Sequence, residues 1–421
     1  MIKNRMPSPF RILRQRRGVA ILVALFAIML LIFVATEVSY DTSVEYIVAR
    51  QQVNRLKAYY AARAGTEISL LRILIYKKAV AAVTSSLGDN AKQQMAMLDP
   101  VWQMPFTWPP VLPDTVTGVD RSNIEDIVKE STLDAQYLAT IESEGGKIDI
   151  NDLGSISKPL REATKAQILK IFISETDNND DFRQKYRDFR FEELVNNMID
   201  WVDDDSESLN GGGERDKYDV RSDFIPPNAP FKTFKELNMV AMMNEDFYNL
   251  LINRVTIFGT KGINVNYAPR EVLAALDPSM REDALNAILK RRSDPNEGGP
   301  FQNEEDFFTF ASRQNVNTQA IQKSGVPLLF GTEYNFRIRS TGRYSNVNRE
   351  ITSITFDLEN LRDRYLGLLD KEAENKNNNG GASSATGNTG AVTTPSGPAA
   401  AEKPKIVAPK GRPTVVYWDE T

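Results

Sequence analysis

Hydrophobic and polar positions divide this chain into stretches of different texture. The first is an unbroken apolar run from Val19 to Ala35 that contains no polar side chain, no Pro and no Gly. In water it would leave a continuous apolar surface bare, so it calls for lipid or a protein interior. At about 1.5 Å of rise per residue the run is slightly short of the roughly 20 residues of a spanning helix, and Thr36 and Val38 extend it. From Thr36 to Ser86 the pattern turns amphipathic, with apolar or small residues at Val44, Val48, Leu56, Tyr60, Ala64, Ile68 and Leu71. No proline occurs between Pro9 and Pro100, so the two stretches predict one continuous helix.

Strict alternation appears later. Tyr137 to Glu144 reads as a strand that turns at Gly145-Gly146, and Tyr334 to Arg339 and Glu350 to Phe356 alternate again, with Gly342 and Ser345-Asn346 between them. These are expected to be antiparallel strands with one buried face, suited to cover the first helix. Residues 100 to 120, rich in Pro and Trp, read as an ordered loop. Between the first strand and the last two lies a mostly helical region. Lys147-Ile148-Asp149-Ile150-Asn151 opens it, and Gly262-Ile263-Asn264-Val265-Asn266 recurs near its end; both read as short extended pieces ending in Asn or Asp, able to cap a following helix. They form a weak internal repeat. After Arg364 the chain loses its core, and residues 371–401 are mostly Asn, Gly, Ala, Ser, Thr and Pro, which bury too little apolar surface to offset ordering entropy. Disorder is expected to the end, although Pro413 to Trp418 is β-prone and would suit a strand docked on a sheet edge.

Charge adds an orientation. Lys3, Arg5, Arg11, Arg14, Arg16 and Arg17 precede the apolar run and no acid appears before Glu37, an asymmetry that holds the N-terminus in the cytoplasm. Six of the 51 basic residues are thus spent on the leader, leaving 45 against 56 acidic ones outside. With no Cys and no His there is no disulfide, no thiolate and no imidazole base or zinc ligand. The segment from Glu271 to Phe307 resembles a helix-hairpin-helix or SAM-like module. Where DNA-binding versions carry a glycine-rich hairpin, this chain has Asp277-Pro278-Ser279-Met280-Arg281-Glu282-Asp283. With that acidic turn and an acidic exterior, nucleic acid is not expected as a partner.

The densest chemistry runs from Asp200 to Asp219. Hard cations such as Ca²⁺ take six to eight oxygens, supplied by carboxylates and carbonyls of glycine-rich turns. Asp203, Asp205 and Glu207 fall at positions 1, 3 and 5 of an EF-hand count and Glu214 at 12, but Ser208 stands at 6, where the sharp turn needs Gly. The stretch reads as a calcium-type loop that is not an EF-hand. A solvated acidic turn is the plain alternative, against which stand mutual repulsion among the acids and the triple glycine Gly211-Gly212-Gly213. A glycosidase carboxylate pair has no sugar cleft around it, and no catalytic residue is assigned.

Several pieces resemble known families. Arg16-Arg17-Gly18 before the apolar run resembles a type IV prepilin leader, with cleavage after Gly18 and methylation of the new N-terminus, Val19. Most pilins carry Glu at the fifth mature position; Val23 stands there, a mark of the K-type minor pseudopilins of type II secretion. Gly146 to Asn151, Ile199 to Asp203 with Gly213-Glu214 and Tyr218, Phe234 to Leu237, Gly262 to Asn266 with Ala268-Pro269, and Phe336 to Gly342 carry the same resemblance in order.

The resemblance implies an α+β protein: a pilin-like long N-terminal helix on a small antiparallel sheet, interrupted by a large mostly α-helical insertion that binds calcium. The expected parts are a leader 1–18, the helix 19–100, the first part of the pilin-like domain 101–147, the insertion 148–328, the remaining strands 329–365 and a disordered tail 366–421. Asp203, Asp205, Glu214, Asp216 and Asp219 are the calcium ligands it implies, with Asp200 next. It also implies a tip complex with the I and J minor pseudopilins, the H type being a further candidate. That complex would cap a periplasmic pseudopilus which exports folded proteins through an outer-membrane secretin. Other partners are the prepilin peptidase, the inner membrane and the exported proteins. The alternative is a membrane-anchored helix-hairpin-helix adaptor of DNA uptake, or a type IV pilus minor pilin.

Overall fold

The computed structural model describes residues 13–87, 97–111, 117–218, 224, 226–358 and 411–421. Most of the expected leader, the residue Asp219 and most of the low-complexity tail lie outside the described residues.

Helix α1 spans Leu13–Leu87 without a break. Its N-terminal part is exposed on all sides and includes a window of mean hydropathy 3.1, none of it buried within the protein. Among the described residues this is one helix long and apolar enough to cross a membrane. Burial begins at Asn54 and continues through Ala58, Ala61, Ala62, Leu70, Ile73, Tyr76 and Val80, the side pressed on the sheet.

After α1 come α2 (Pro100–Gln103), β1 (Phe106–Trp108), α3 (Gly118–Glu130) and β2 (Gln136–Ser143). Among the described residues, most of 100–108 and 118–120 are therefore in helix or strand rather than in the loop the Pro and Trp content suggested. Trp102 is buried against Tyr76 and Phe336, and β1 pairs with β2 in the register Phe106↔Ala139. Much later β7 (Phe336–Tyr344) and β8 (Val347–Thr355) form a hairpin, and β9 (Val415–Glu420) follows. The sheet runs β1-β2-β7-β8-β9, antiparallel throughout. Two expectations need correction here. Gly342 is inside β7 rather than in the turn: a Cβ there would lie 2.0 Å from the Ala58 carbonyl oxygen, so the helix can approach the sheet only over a glycine. The turn is made by Ser345, whose φ of 54° is left-handed, with Asn346. The end of the tail is also ordered, because Val415–Glu420 pairs with β8 at every residue but Val416.

Between β2 and β7 the chain leaves the sheet and builds two units. The first opens with β3 (Ile148–Asp149) and a 3₁₀ turn over Ile150–Gly154. It continues through α4 (Lys158–Asn178), α5 (Asp180–Lys185) and α6 (Phe191–Val202), then a second turn over Phe234–Met239 and α7 (Glu245–Leu251). It closes with β4 (Val255–Thr256), which pairs with β3 in parallel. The second opens with β5 (Ile263–Asn264), has α8 (Arg270–Ala274), α9 (Glu282–Ser293), α10 (Glu304–Arg313) and α11 (Thr318–Lys323), and closes with β6 (Leu328–Leu329), parallel to β5. One apolar core runs through both, from Ile150 and Phe172 to Phe307 and Ile321.

The same clamp recurs in each unit. Asn151 donates through Nδ2 to the carbonyls of Phe231 (3.1 Å) and Ile257 (3.2 Å) and accepts from the Phe231 amide (2.7 Å). Asn266 donates to Phe301 (2.9 Å) and Phe330 (3.5 Å) and accepts from the Phe301 amide (2.8 Å). In the first unit the capping role falls two places earlier, on Asp149, which accepts from the Asn151 amide at the start of the 3₁₀ turn; Asn264 accepts from the Asn266 amide in the same way, but no helix starts there, and α8 begins after Pro269.

A buried ion network joins the first unit to the sheet. Glu144, just past β2, accepts from Arg337 Nε on β7 at 2.8 Å and pairs with Lys147 at 2.9 Å. The Arg337 guanidinium lies 4.6 Å from the centre of the Phe234 ring, so sheet and insertion share one desolvated cation.

Candidate metal centre

Helix α6 positions the acidic stretch. Its apolar face, Leu194, Val195, Met198, Trp201 and Val202, is buried in the core, so its last turn delivers Asp200 inward and Asp203 at its end. Trp201 stacks on Phe231 with centroids 5.4 Å apart, and the Trp201 carbonyl accepts from the Ala229 amide at 3.1 Å, which pins both ends of the intervening chain.

The loop then folds on its own backbone. Glu207 and Gly213 pair as an isolated antiparallel bridge, and the Ser208 amide donates to the Gly212 carbonyl at 3.0 Å. Gly211 and Gly212 have φ of 83° and 85°, values that a residue with a Cβ adopts only at a cost. Asn210 ties this turn to α6, donating to the Glu193 carbonyl and to Asn197 Oδ1, both at 2.8 Å.

This geometry brings one carboxylate oxygen each from Asp203, Asp205 and Glu214 within 4.8 Å of one another. Asp200 lies beneath them; its Oδ1 accepts from the Leu209 amide at 3.1 Å. Asp200 Oδ2, Asp203 Oδ1 and Glu214 Oε1 are buried oxygens with no hydrogen-bond partner. Convergent buried oxygens without donors are what a hard cation satisfies, so the residues fit calcium. The electrostatics agree: burial, and then the neighbouring carboxylates, push Asp203 up to about 6 and Glu214 up to about 7, and Asp200 is raised for the same reasons.

The remaining expected ligand among the described residues, Asp216, falls differently. Asp216 is exposed and turns its Oδ2 onto the Gly213 amide at 3.1 Å, so it holds the loop's shape. Glu207 is exposed at the rim. Gly18 and Val19 sit on the exposed part of α1, and a Cβ on Gly18 would meet nothing within 4 Å.

Sequence reasoning missed Asn228. It has φ of 43°, donates to the Asp205 carbonyl, touches Glu214, and leaves its own Oδ1 buried and unpartnered beside the carboxylates. Its signal was the Pro226-Pro227-Asn228-Ala229-Pro230 run, where Asn can take the left-handed conformation that its neighbours cannot.

Comparison with known proteins divides the insertion where the structure does. Residues 146–260 and residues 263–326 match two models described as type II secretion system, protein K, one for each unit. No curated protein sequence matches the chain. Among solved structures, a chain in the crystal structure of the GspK–GspI–GspJ complex from the enterotoxigenic Escherichia coli type 2 secretion system is similar. Identity is 17%, coverage 53% of this chain and 75% of that one, and the TM-score 0.42.

Proposed function

We propose that this chain is a minor pseudopilin of the type II secretion system protein K family, whose models match residues 146–260 and 263–326, and that it caps the tip of the periplasmic pseudopilus with its acidic loop folded around calcium. The observation that carries the proposal is the coupling of parts: an exposed helix of lipid-spanning length is continuous with the helix that fills the sheet, and the two protein K units are inserted between β2 and β7 of that same sheet. A body of that size attached to a pilin-like domain would crowd a further subunit stacked above, and Val23 offers no carboxylate to a neighbour's N-terminus. Both features favour the end position. The N-terminus would be cytoplasmic and the sheet and insertion periplasmic, with the I and J minor pseudopilins as partners.

Asp203, Asp205 and Glu214 would hold the calcium, with Asp200 and the Asn228 oxygen available to complete the set. When bound, the ion supplies the positive charge that the loop lacks. The protein itself contributes the turn at Gly211-Gly212, the Asn210 tie to α6 and the Trp201–Phe231 stack that keep the oxygens together.

The decisive measurement is the intact mass of the chain from membranes with and without prepilin peptidase, followed by co-purification with the I and J proteins. A chain beginning at N-methylated Val19 that brings both partners with it is expected. A chain still beginning at Met1 in the presence of active peptidase would end the pseudopilin reading.

A further inference from the structure

The last strand of the sheet is attached unlike the other four. β9 pairs with β8 from Ile351↔Glu420 to Thr355↔Val415, flanked by two 2.9 Å bonds between Glu350 and Thr421 and by the Phe356 amide on the Thr414 carbonyl at 3.0 Å. The register shifts between Ile354 and Thr355, so Val416 is extra and the side-chain alternation changes phase there. Val415 therefore packs in the cluster between α1 and the sheet, whereas Tyr417 turns to the opposite face and joins the core of the insertion. Its ring lies 5.7 Å from that of Phe234 and 6.2 Å from that of Phe258. On the same face Asp419 pairs with Lys235 at 2.8 Å. Towards α1, Glu420 accepts from the Tyr59 hydroxyl at 3.2 Å and Arg412 pairs with Glu67 at 2.9 Å.

One short strand thus touches α1, β8 and the insertion together, although residues 359–410 separate it from β8. Those residues are Asn-, Gly-, Ala-, Ser-, Thr- and Pro-rich over most of their length, and closing so long a connection costs only slightly more than closing a short one. A segment joined in this way is a ligand on a tether, held by mass action at an effective concentration on the order of millimolar.

We propose that the β8 edge, with Phe234, Lys235 and Phe258 beside it, is a strand-accepting peptide site, and that residues 413–420 are its releasable ligand in cis. Main-chain pairing supplies the docking and two side chains supply the selectivity. The site takes an extended peptide with an aromatic residue where Tyr417 lies and an acid two places further on.

The test uses the full chain in detergent, the chain ending at residue 410, and a labelled synthetic peptide of residues 411–421. The peptide should bind the shortened chain saturably and the full chain at least about tenfold more weakly, because the resident strand competes. A peptide carrying Asp419→Lys should lose about tenfold by facing Lys235 with a like charge. Failure to bind a shortened chain that melts like the full one, or equal binding to both, overturns the proposal. Should the shortened chain not fold, a protease site within residues 380–395 of the full chain is cut after folding. Exchange of the severed end for labelled peptide then supports the latch, and a severed end that never exchanges shows a permanent strand and overturns it.

Discussion

The two units of the insertion solve one folding problem twice, and only one of them carries the acids. Each begins with a two-residue strand, ends with its parallel partner, and is closed by an Asn that grips the backbone of a distant Phe and of the exit segment. In the second unit the path from α9 to Phe301 is a short turn through Gly298-Gly299. In the first unit the corresponding path, from α6 to Phe231, contains the whole acidic loop. The loop is therefore an elaboration held between two fixed points of a scaffold that closes without it. Its charge problem is confined to the elaboration, so a cation bound there would act on the loop rather than on the core.

Breaking the clamp tests the equivalence most severely. Asn151→Ala and Asn266→Ala each strip partners from one backbone amide and two carbonyls, so each should cost about 2–4 kcal/mol, read as a fall in the denaturation midpoint. A large loss from one variant and none from the other would mean that the two units are not built alike.

A smaller effect should come from the elaboration. Glu214→Gln removes a carboxylate that faces Asp203 and Asp205, and should weaken calcium binding at least about tenfold by titration calorimetry. Without the ion the variant should melt no lower than the parent, since it also removes repulsion. In the parent, calcium at a hundred times its dissociation constant should stabilise by about 2.7 kcal/mol, and hydrogen-exchange protection should rise in residues 203–218 but not in the second unit. Protection gained around α9 and α10 instead would sink the idea of a confined elaboration.

The smallest effect is a pH dependence. Asp203 and Glu214 titrate above the ordinary carboxylate range when folded, at about 6 and about 7, so the folded state holds more protons than the unfolded chain between roughly pH 4 and 7. In chelator the midpoint should therefore fall as pH rises through that window, and saturating calcium should abolish the fall. A midpoint in chelator that rises from pH 5 to 7 would contradict the charge crowding described for the loop.

Much of this was legible in advance because it rests on local patterns. The Val19–Ala35 run, the alternation in β2, β7 and β8 and the recurrence of an extended piece ending in Asn all act over a few residues. What stayed hidden depends on partners far along the chain. Asn151 looked like a helix cap because its real partners, Phe231 and Ile257, are 80 and 106 residues away. Gly342 looked like part of a turn because nothing local reveals that Ala58 lies against it. Asn228 was passed over among prolines, and although the β-prone run Pro413 to Trp418 was visible, its partner, the β8 edge, was not, because a strand beyond so long a connection shows its edge only in three dimensions.

The unbroken α1 has a mechanical consequence. Seventy-five residues of helix measure about 110 Å, and no proline provides a hinge anywhere along them. The glycine socket at Gly342 seats this rod against the sheet, and the Glu144–Arg337 joint carries the load onward to the insertion. A displacement along the helix axis would therefore reach the sheet, and through that joint the insertion, as translation, with no proline hinge to absorb it.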